Sequence, residues 1–234
     1  AAQPFYSVLT GDSSLRSRPM GRVAEPLRAM GAEVWGRGGG ALAPLSIRGG
    51  NLRGINYRLP VASAQLKSAL IIAALHAEGP TELVEPGPAR DHTERMLRAM
   101  GATIRNQEAH IFVEPLKAPL RSLDVKVPGD ISSAAFWLVA ASAHSDAQIR
   151  INNIGINPTR AGILEALRAM GADITIIEEQ DEGGEEVADI LVRSSQLQGA
   201  EFGGELIPRM IDEIPVLVVG ACLAKGTTVI RDAT

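Results

Sequence analysis

Six residues, LRAMGA, occur three times in this chain, at 27–32, 97–102 and 167–172, with the same seventy-residue interval between copies. Identity of that length at one interval marks a chain assembled from repeated structural units, with a period longer than that of common solenoid repeats. Each hexapeptide ends a run with apolar residues at helical spacing, then passes through glycine into a short apolar segment. Gly31, Gly101 and Gly171 therefore read as the residues just past the ends of three amphipathic helices.

The second unit is the clearest. Residues 63–77 (SAQLKSALIIAALHA) are apolar on nearly every face, which predicts a helix buried all round. A strand follows at 81–85. An amphipathic helix is then expected over 91–100, with Met96, Leu97 and Met100 inward and Arg95 and Arg98 outward, followed by short strands near 102–105 and 110–114. The third unit repeats the order: a strand at 123–127, a buried helix at 132–143, a strand at 148–152, an amphipathic helix at 159–170, and strands at 173–177 and 189–193. The pattern is βαβαββ. The first unit begins at a strand over 5–9 without its buried helix, and the fourth has its buried helix at 212–224 and a strand at 227–231. The fold class expected is α/β, with apolar helices at the centre and amphipathic ones outside. Both ends of the chain read as cut inside a unit, so a piece of a longer protein is expected.

Composition excludes several functions. A net charge of −4 argues against nucleic-acid binding, which needs a basic surface. The single cysteine, Cys222, excludes an internal disulfide and reads as an inert core residue, and no Cys/His cluster has metal-ligand spacing. No run approaches the length of a membrane span and the start lacks a signal-peptide layout, so no membrane partner and a cytoplasmic location are expected. The acidic run 178–186, broken by Gly183 and Gly184, reads as a solvated hairpin turn, and the glycines of 36–40 as a loose hairpin connection rather than a phosphate cradle. The histidines His76, His110 and His144 read as surface or loop residues without partners.

Helix starts are where chemistry is expected, because unpaired N–H groups and partial positive charge attract anions there. Ser63 opens the buried helix of the second unit, with Gln65 in its first turn. It is either a plain N-cap or part of a phosphate site. Arg18, Arg90 and Arg160 each stand near the start of an amphipathic helix, where a cation opposes the macrodipole at a cost of about 0.3–1 kcal/mol unless an anion or carboxylate pairs with it. Asp91 and Glu94 read as a capping box, leaving His92 on the exposed face without a role, and Asp130 reads as a cap beside Ser132 and Ser133. Of Asp212 and Glu213, one is expected to cap the following helix, leaving the other free to act as a base toward a bound hydroxyl.

Five ordered segments carry a resemblance: GDSSLRSRPMGRV at 11–23, PVASAQLKSA at 60–69, RDHTERML at 90–97, NPTRAG at 157–162 and MIDEIPVL at 210–217. Together they resemble the 5-enolpyruvylshikimate-3-phosphate (EPSP) synthase family across essentially the whole chain, and most closely its bacterial glyphosate-insensitive class. The resemblance implies inverse α/β-barrel-type domains of three βαβαββ units each. It places 1–126 in the first, shikimate-phosphate-binding domain and 127–234 in the second. It implies transfer of the enolpyruvyl group of phosphoenolpyruvate to the 5-hydroxyl of shikimate 3-phosphate, with no metal or organic cofactor and a monomer at full length. By the same resemblance Ser63 and the backbone of Ala64 meet the 3-phosphate, Gln65 lies between the substrates, Arg90 closes over the phosphate, Arg18 grips phosphoenolpyruvate, and Asp212 binds ring hydroxyls and takes the 5-hydroxyl proton. Where many members carry a second serine, this chain has Ala64. The family's N-terminal lysine, serine and arginine and its later acid–base lysine have no counterparts here, so little turnover is expected from these residues alone. A sister family acting on a UDP-amino sugar uses a cysteine on a mobile loop, which Cys222, inside an apolar helix, does not match. The non-enzymatic alternative is a truncated binding or folding module.

Overall fold

Short strands alternate with helices along the whole of the computed structural model, which describes residues 1–233. Ala1–Ser122 form one unit, and the chain from Leu123 onward forms a second.

The first unit runs β1 (Tyr6–Leu9), α1 (Ser13–Ser17), α2 (Gly21–Ala29), β2 (Glu33–Gly36), a one-turn α3 (Arg37–Gly40) and β3 (Leu42–Arg48). These three strands make an antiparallel sheet in the order β1-β3-β2. The β2–β3 hairpin turns through Gly38 and Gly39, both left-handed. The chain continues through β4 (Leu52–Arg53), β5 (Asn56–Arg58), α4 (Ala64–Ala74), β6 (Ala77–Glu78), β7 (Thr81–Val84), α5 (His92–Ala99), β8 (Ile104–Gln107) and β9 (His110–Val113). A mixed sheet, β5-β7-β9-β8, lies with β5 parallel to β7. Leu66, Leu70 and Ile71 of α4 fill the core with Met30, Leu52, Leu83 and Val113.

The second unit runs α6 (Ile131–Ala143), β10 (Gln148–Gly155), α7 (Gly162–Ala169), β11 (Asp173–Glu182), β12 (Glu185–Arg193), β13 (Glu201–Phe202), α8 (Leu206–Met210), a 3-10 turn (Ile211–Glu213), α9 (Ile214–Leu223) and β14 (Val229–Ile230). Its antiparallel sheet, β10-β12-β11, closes the acidic hairpin through Gly183 and Gly184, both at positive φ, with Glu182 opposite Glu185. That is the two-residue turn geometry that favours glycine.

The hexapeptide does the same work three times. Gly31, Gly101 and Gly171 sit at φ +107°, +97° and +86°. Each glycine amide donates to the arginine carbonyl of its own copy (Arg28, Arg98, Arg168), and the next amide (Ala32, Ala102, Ala172) donates to the leucine carbonyl, all at 2.9 Å. This is the two-bond Schellman closure. The arginine then reaches forward to the following strand: Arg28 Nε donates to Val34 O at 2.9 Å, Arg98 Nε to Ile104 O at 2.9 Å, and Arg168 Nε to Ile174 O at 3.4 Å. Each methionine carbonyl accepts an amide from a later segment, that of Arg53, Arg121 or Gln198. The repeat is a joint that stops a helix, turns the chain and pins the next strand.

Several expectations are corrected. Residues 123–127 form no strand, because the chain meets the free edge of β10 only at the Gly129–Ile154 bridge. The apolar helices are not buried all round. Leu138 and Val139 of α6 face the core, while Phe136 and Trp137 stand 64% and 61% exposed. At about 100° per residue the helix carries these away from the Leu138 face, and Phe136 lines an open apolar cavity with Val216, Val219 and Leu223 of α9. Cys222 is exposed rather than in the core, on the same face of α9 as Val219 and Leu223. Met96 is exposed, its place against α4 taken by Glu94, which is fully buried. His110 does have a partner: its Nδ1 lies 2.6 Å from Glu82 Oε1.

Candidate functional site

In the first unit the candidate site gathers at the start of α4. Ser63 is an extended N-cap whose Oγ accepts from the amide of Leu66 at 3.4 Å. Ser63 and Ala64 are partly exposed and Gln65 is exposed, so the helix presents its first turn outward. The loop from Glu85 to Asp91 runs beside it: a Cβ built on Gly87 would lie 4.0 Å from that of Ala62. Arg90 is on this loop and half-buried. Arg18 lies elsewhere in the unit, as the exposed C-cap of α1. α1 was not foreseen, and Arg18 ends that helix rather than beginning α2.

Beneath the helix start lies a charge cluster. Lys67 is 1% exposed, and its Nζ lies 2.8 Å from Glu94 Oε1 and 3.1 Å from Glu85 Oε1, with a hydrogen bond to Ala89 O at 3.2 Å. Both carboxylates are ion pairs by distance, but neither is aligned as a hydrogen bond. Burial pushes the Glu85 carboxyl above its ordinary range, and the charges of Glu94 and Asp91 add to this while Lys67 opposes it. Glu94 is therefore no part of a capping box. Asp91 makes no side-chain cap bond and pairs with Arg95 Nε at 2.8 Å instead. Nothing in the apolar pattern pointed to this cluster except the lone lysine in an otherwise apolar helix.

In the second unit a different network surrounds Arg160. Asn157, 2% exposed, shapes the preceding turn: its Oδ1 accepts from the Thr159 amide at 2.8 Å and the Thr159 hydroxyl at 2.7 Å. Arg160 thus stands in a turn before α7, which begins only at Gly162. Its guanidinium donates to Asp130 Oδ1 at 2.9 Å, Ser132 Oγ at 2.8 Å and Asp212 Oδ2 at 3.3 Å. Ser132 in turn donates to Glu213, which is 1% exposed. Asp130 caps α6 as expected, accepting from the amides of Ser132 and Ser133 at 3.3 and 3.2 Å. The hydrogen bond from Arg160 holds its carboxyl below the ordinary range. Burial alone would lower the Arg160 value, but the bonds and charges of Asp130, Glu213 and Asp212 outweigh it and raise it.

Glu213 is the N-cap of α9 but makes no side-chain cap bond. The chain reaches that helix through the 3-10 turn, and Pro215 in its first turn has no amide to cap. Asp212 is left half-exposed beside Arg160, and Glu213 is buried against Ser132. Sequence reasoning picked Asp212 but missed the network that Arg160 links to it through Asp130, Ser132 and Glu213. The spacing of these residues along the chain carries no signal that they meet.

Among the described residues no group of His, Cys, Asp and Glu is placed to hold a metal ion, and no helix is long and apolar enough to cross a membrane.

The model of the EPSP synthase (3-phosphoshikimate 1-carboxyvinyltransferase) family matches residues 1–234. The 3-phosphoshikimate 1-carboxyvinyltransferases of Desulforudis audaxviator and Chloroflexus aggregans are 55% and 57% identical over 233 and 236 residues, covering 100% of this chain and 54% of each relative. The chain thus spans about half the length of the curated relatives it matches. The solved structure of EPSP synthase from Acinetobacter baumannii superposes on 98% of this chain and 52% of that one, with TM-score 0.91 and 47% identity. The enolpyruvyl transferase NikO from Streptomyces tendae shares the fold, with TM-score 0.69 at 18% identity. The α/β units built on LRAMGA joints are therefore those of a known family, and the chain belongs to the EPSP synthase family.

Proposed function

We propose that the full-length protein carrying this chain transfers the enolpyruvyl group of phosphoenolpyruvate to the 5-hydroxyl of shikimate 3-phosphate. The observation that carries this reading is the half-exposed Asp212 carboxylate beside Arg160, in a chain 55% identical to 3-phosphoshikimate 1-carboxyvinyltransferases. In the first unit the N–H groups of the first turn of α4, the Ser63 hydroxyl and Arg90 receive the 3-phosphate, since a helix start favours anions. Gln65 lies between the substrates, and Arg18, exposed and cationic, takes phosphoenolpyruvate.

The chemistry balances without a cofactor. The 5-hydroxyl oxygen bonds to C2 of phosphoenolpyruvate while a general acid of the full-length protein gives a proton to C3 and Asp212 takes the hydroxyl proton; that acid's conjugate base takes the C3 proton back in the elimination, and the Asp212 proton leaves with phosphate. The resulting tetrahedral adduct loses inorganic phosphate from C2 and a proton from C3, which restores the double bond. Arg160 holds the carboxylate in place through this step.

Phosphate release from the full-length protein, followed with both substrates, tests the reading. Asp212→Asn is expected to lower kcat by about 10²- to 10⁴-fold, the usual weight of a general base. Unchanged turnover in a folded Asp212→Asn protein removes Asp212 from the mechanism.

A further inference from the structure

Lys67 is a costly residue where it stands. It lies near the N-terminal end of α4, where the macrodipole opposes a cation, and it is withdrawn from water. Two carboxylates surround it, Glu94 fully buried and Glu85 partly so, and Glu94 Oε2 has no hydrogen-bond partner. An apolar side chain of similar length would serve packing as well or better, because buried ion clusters add little to stability over well-packed apolar groups. What an apolar side chain could not do is hold the loop.

The segment from Glu85 to Asp91 reads EPGPARD, and its two prolines have no amide to bind it to a neighbouring strand. The amide of Glu85 closes the last bond toward β9, at Ala109 O, and the helical bonds of α5 begin with Arg95 N to Asp91 O. Lys67 spans that interval from below. It touches Glu85 at the head of the loop, the carbonyl of Ala89 immediately before Arg90, and Glu94 in the first turn of α5. At the adjacent positions of the same two helices, Ser68 Oγ and Thr93 Oγ1 lie 2.6 Å apart.

We propose that Lys67 is a positioning residue: by gripping Glu85, the Ala89 carbonyl and Glu94 from inside α4, it sets the Arg90 loop against the helix start, so that Arg90 and the first-turn amides meet one substrate phosphate. This rests on the reading above in which Arg90 contacts the 3-phosphate. Lys67 itself touches no substrate.

The test uses the full-length protein with Lys67→Met, Arg90→Ala and the pair combined, by steady-state kinetics and by calorimetric titration with shikimate 3-phosphate. Lys67→Met is expected to raise the KM and Kd for shikimate 3-phosphate about tenfold, while the KM for phosphoenolpyruvate stays within about twofold. In the Arg90→Ala background the same change should add less than about twofold, since there is no longer an arginine to place. Wild-type affinity in folded Lys67→Met, equal losses for both substrates, or full additivity with Arg90→Ala overturns the proposal. Should Arg90→Ala itself leave shikimate 3-phosphate affinity unchanged, the underlying reading of Arg90 fails instead. Lys67→Met/Glu94→Gln, which strands less buried charge, guards against a single variant that does not fold and carries the same expectation. If that variant also fails to fold, the cluster serves stability alone and the proposal falls.

Discussion

Replacing Arg160 with methionine removes the cation that pairs with Asp130 and Asp212 and lies near Glu213, and the cost can be worked contact by contact. Asp130 and Asp212 are about half-exposed, at 49% and 50%, so each loses what a surface pair is worth, about 0.2–1 kcal/mol. The bond to the Ser132 hydroxyl is charge-assisted and partly buried, worth about 1.5–3 kcal/mol. Glu213 does not touch Arg160 but depends on its charge: at 1% exposure, with Oε2 unpartnered, it keeps only Ser132 as a donor. Stranding a buried charge outright costs about 3–5 kcal/mol, an upper bound here because the serine remains. The three direct contacts come to about 2–5 kcal/mol and the Glu213 cost adds to them, so a loss of at least about 2 kcal/mol is expected. Neutralising the stranded group should then return much of it, so Glu213→Gln in the Arg160→Met background is expected to recover about 1–2 kcal/mol. Urea unfolding of the wild type, both single variants and the pair, followed by circular dichroism, measures the coupling. If the two changes add to within about 0.5 kcal/mol, Arg160 does not sustain the buried Glu213 charge and the network as drawn is wrong.

Three further substitutions probe the scaffold and the same network. Gly171→Ala would set its methyl 3.9 Å from the Gln196 carbonyl, an ordinary contact, so its cost is that of a side chain at φ +86°, about 1 kcal/mol. Gly31→Ala adds a 3.2 Å approach to the Asn51 carbonyl and should cost more, and the reverse order in paired unfolding curves would count against it. Because hydrogen bonding to Arg160 lowers the folded-state pKa of Asp130, this group contributes stability that is present above the ordinary aspartate value, about 3.9, and lost as pH falls through the folded value. Asp130→Asn should therefore flatten the acid limb of the stability profile below about pH 4, and an unchanged limb would remove this carboxylate from the account.

What the sequence made legible followed local physics. A glycine after an amphipathic run forced a left-handed helix end, and all three copies of LRAMGA form that end with the same two bonds. Periodicity likewise located α4, α6 and α9 and the strands that alternate with them, apart from the one expected over 123–127. The misses have a common cause in contacts distant along the chain. A D-x-x-E spacing suits a capping box, but Glu94 is drawn inward by Lys67, a partner on another helix that no local pattern reveals. Asp212 and Glu213 looked interchangeable until the 3-10 turn sent one toward Arg160 and the other under Ser132. The apolar run of α6 predicted burial on every side, yet a run of that kind reports what a helix can cover, not whether a neighbour is there to cover it.

The two kinds of helix end in this chain obey different constraints. The C-terminal ends close on their own backbone, through bonds that any sequence with glycine and a forward-reaching arginine can make, so three copies retain one hexapeptide. Helix starts cannot close this way, because their first amides have no partner within the helix and must be met from outside. At α4 they are met by Ser63, with an exposed turn and an arginine loop supported by a buried lysine. At α6 they are met by Asp130, itself bound to Arg160. Unsatisfied donors of that sort are what an anionic substrate requires, so chemistry can diverge at the starts while the ends hold the units in one shape. A chain built by repetition can thus keep its joints constant and carry different charge arrangements at successive helix starts.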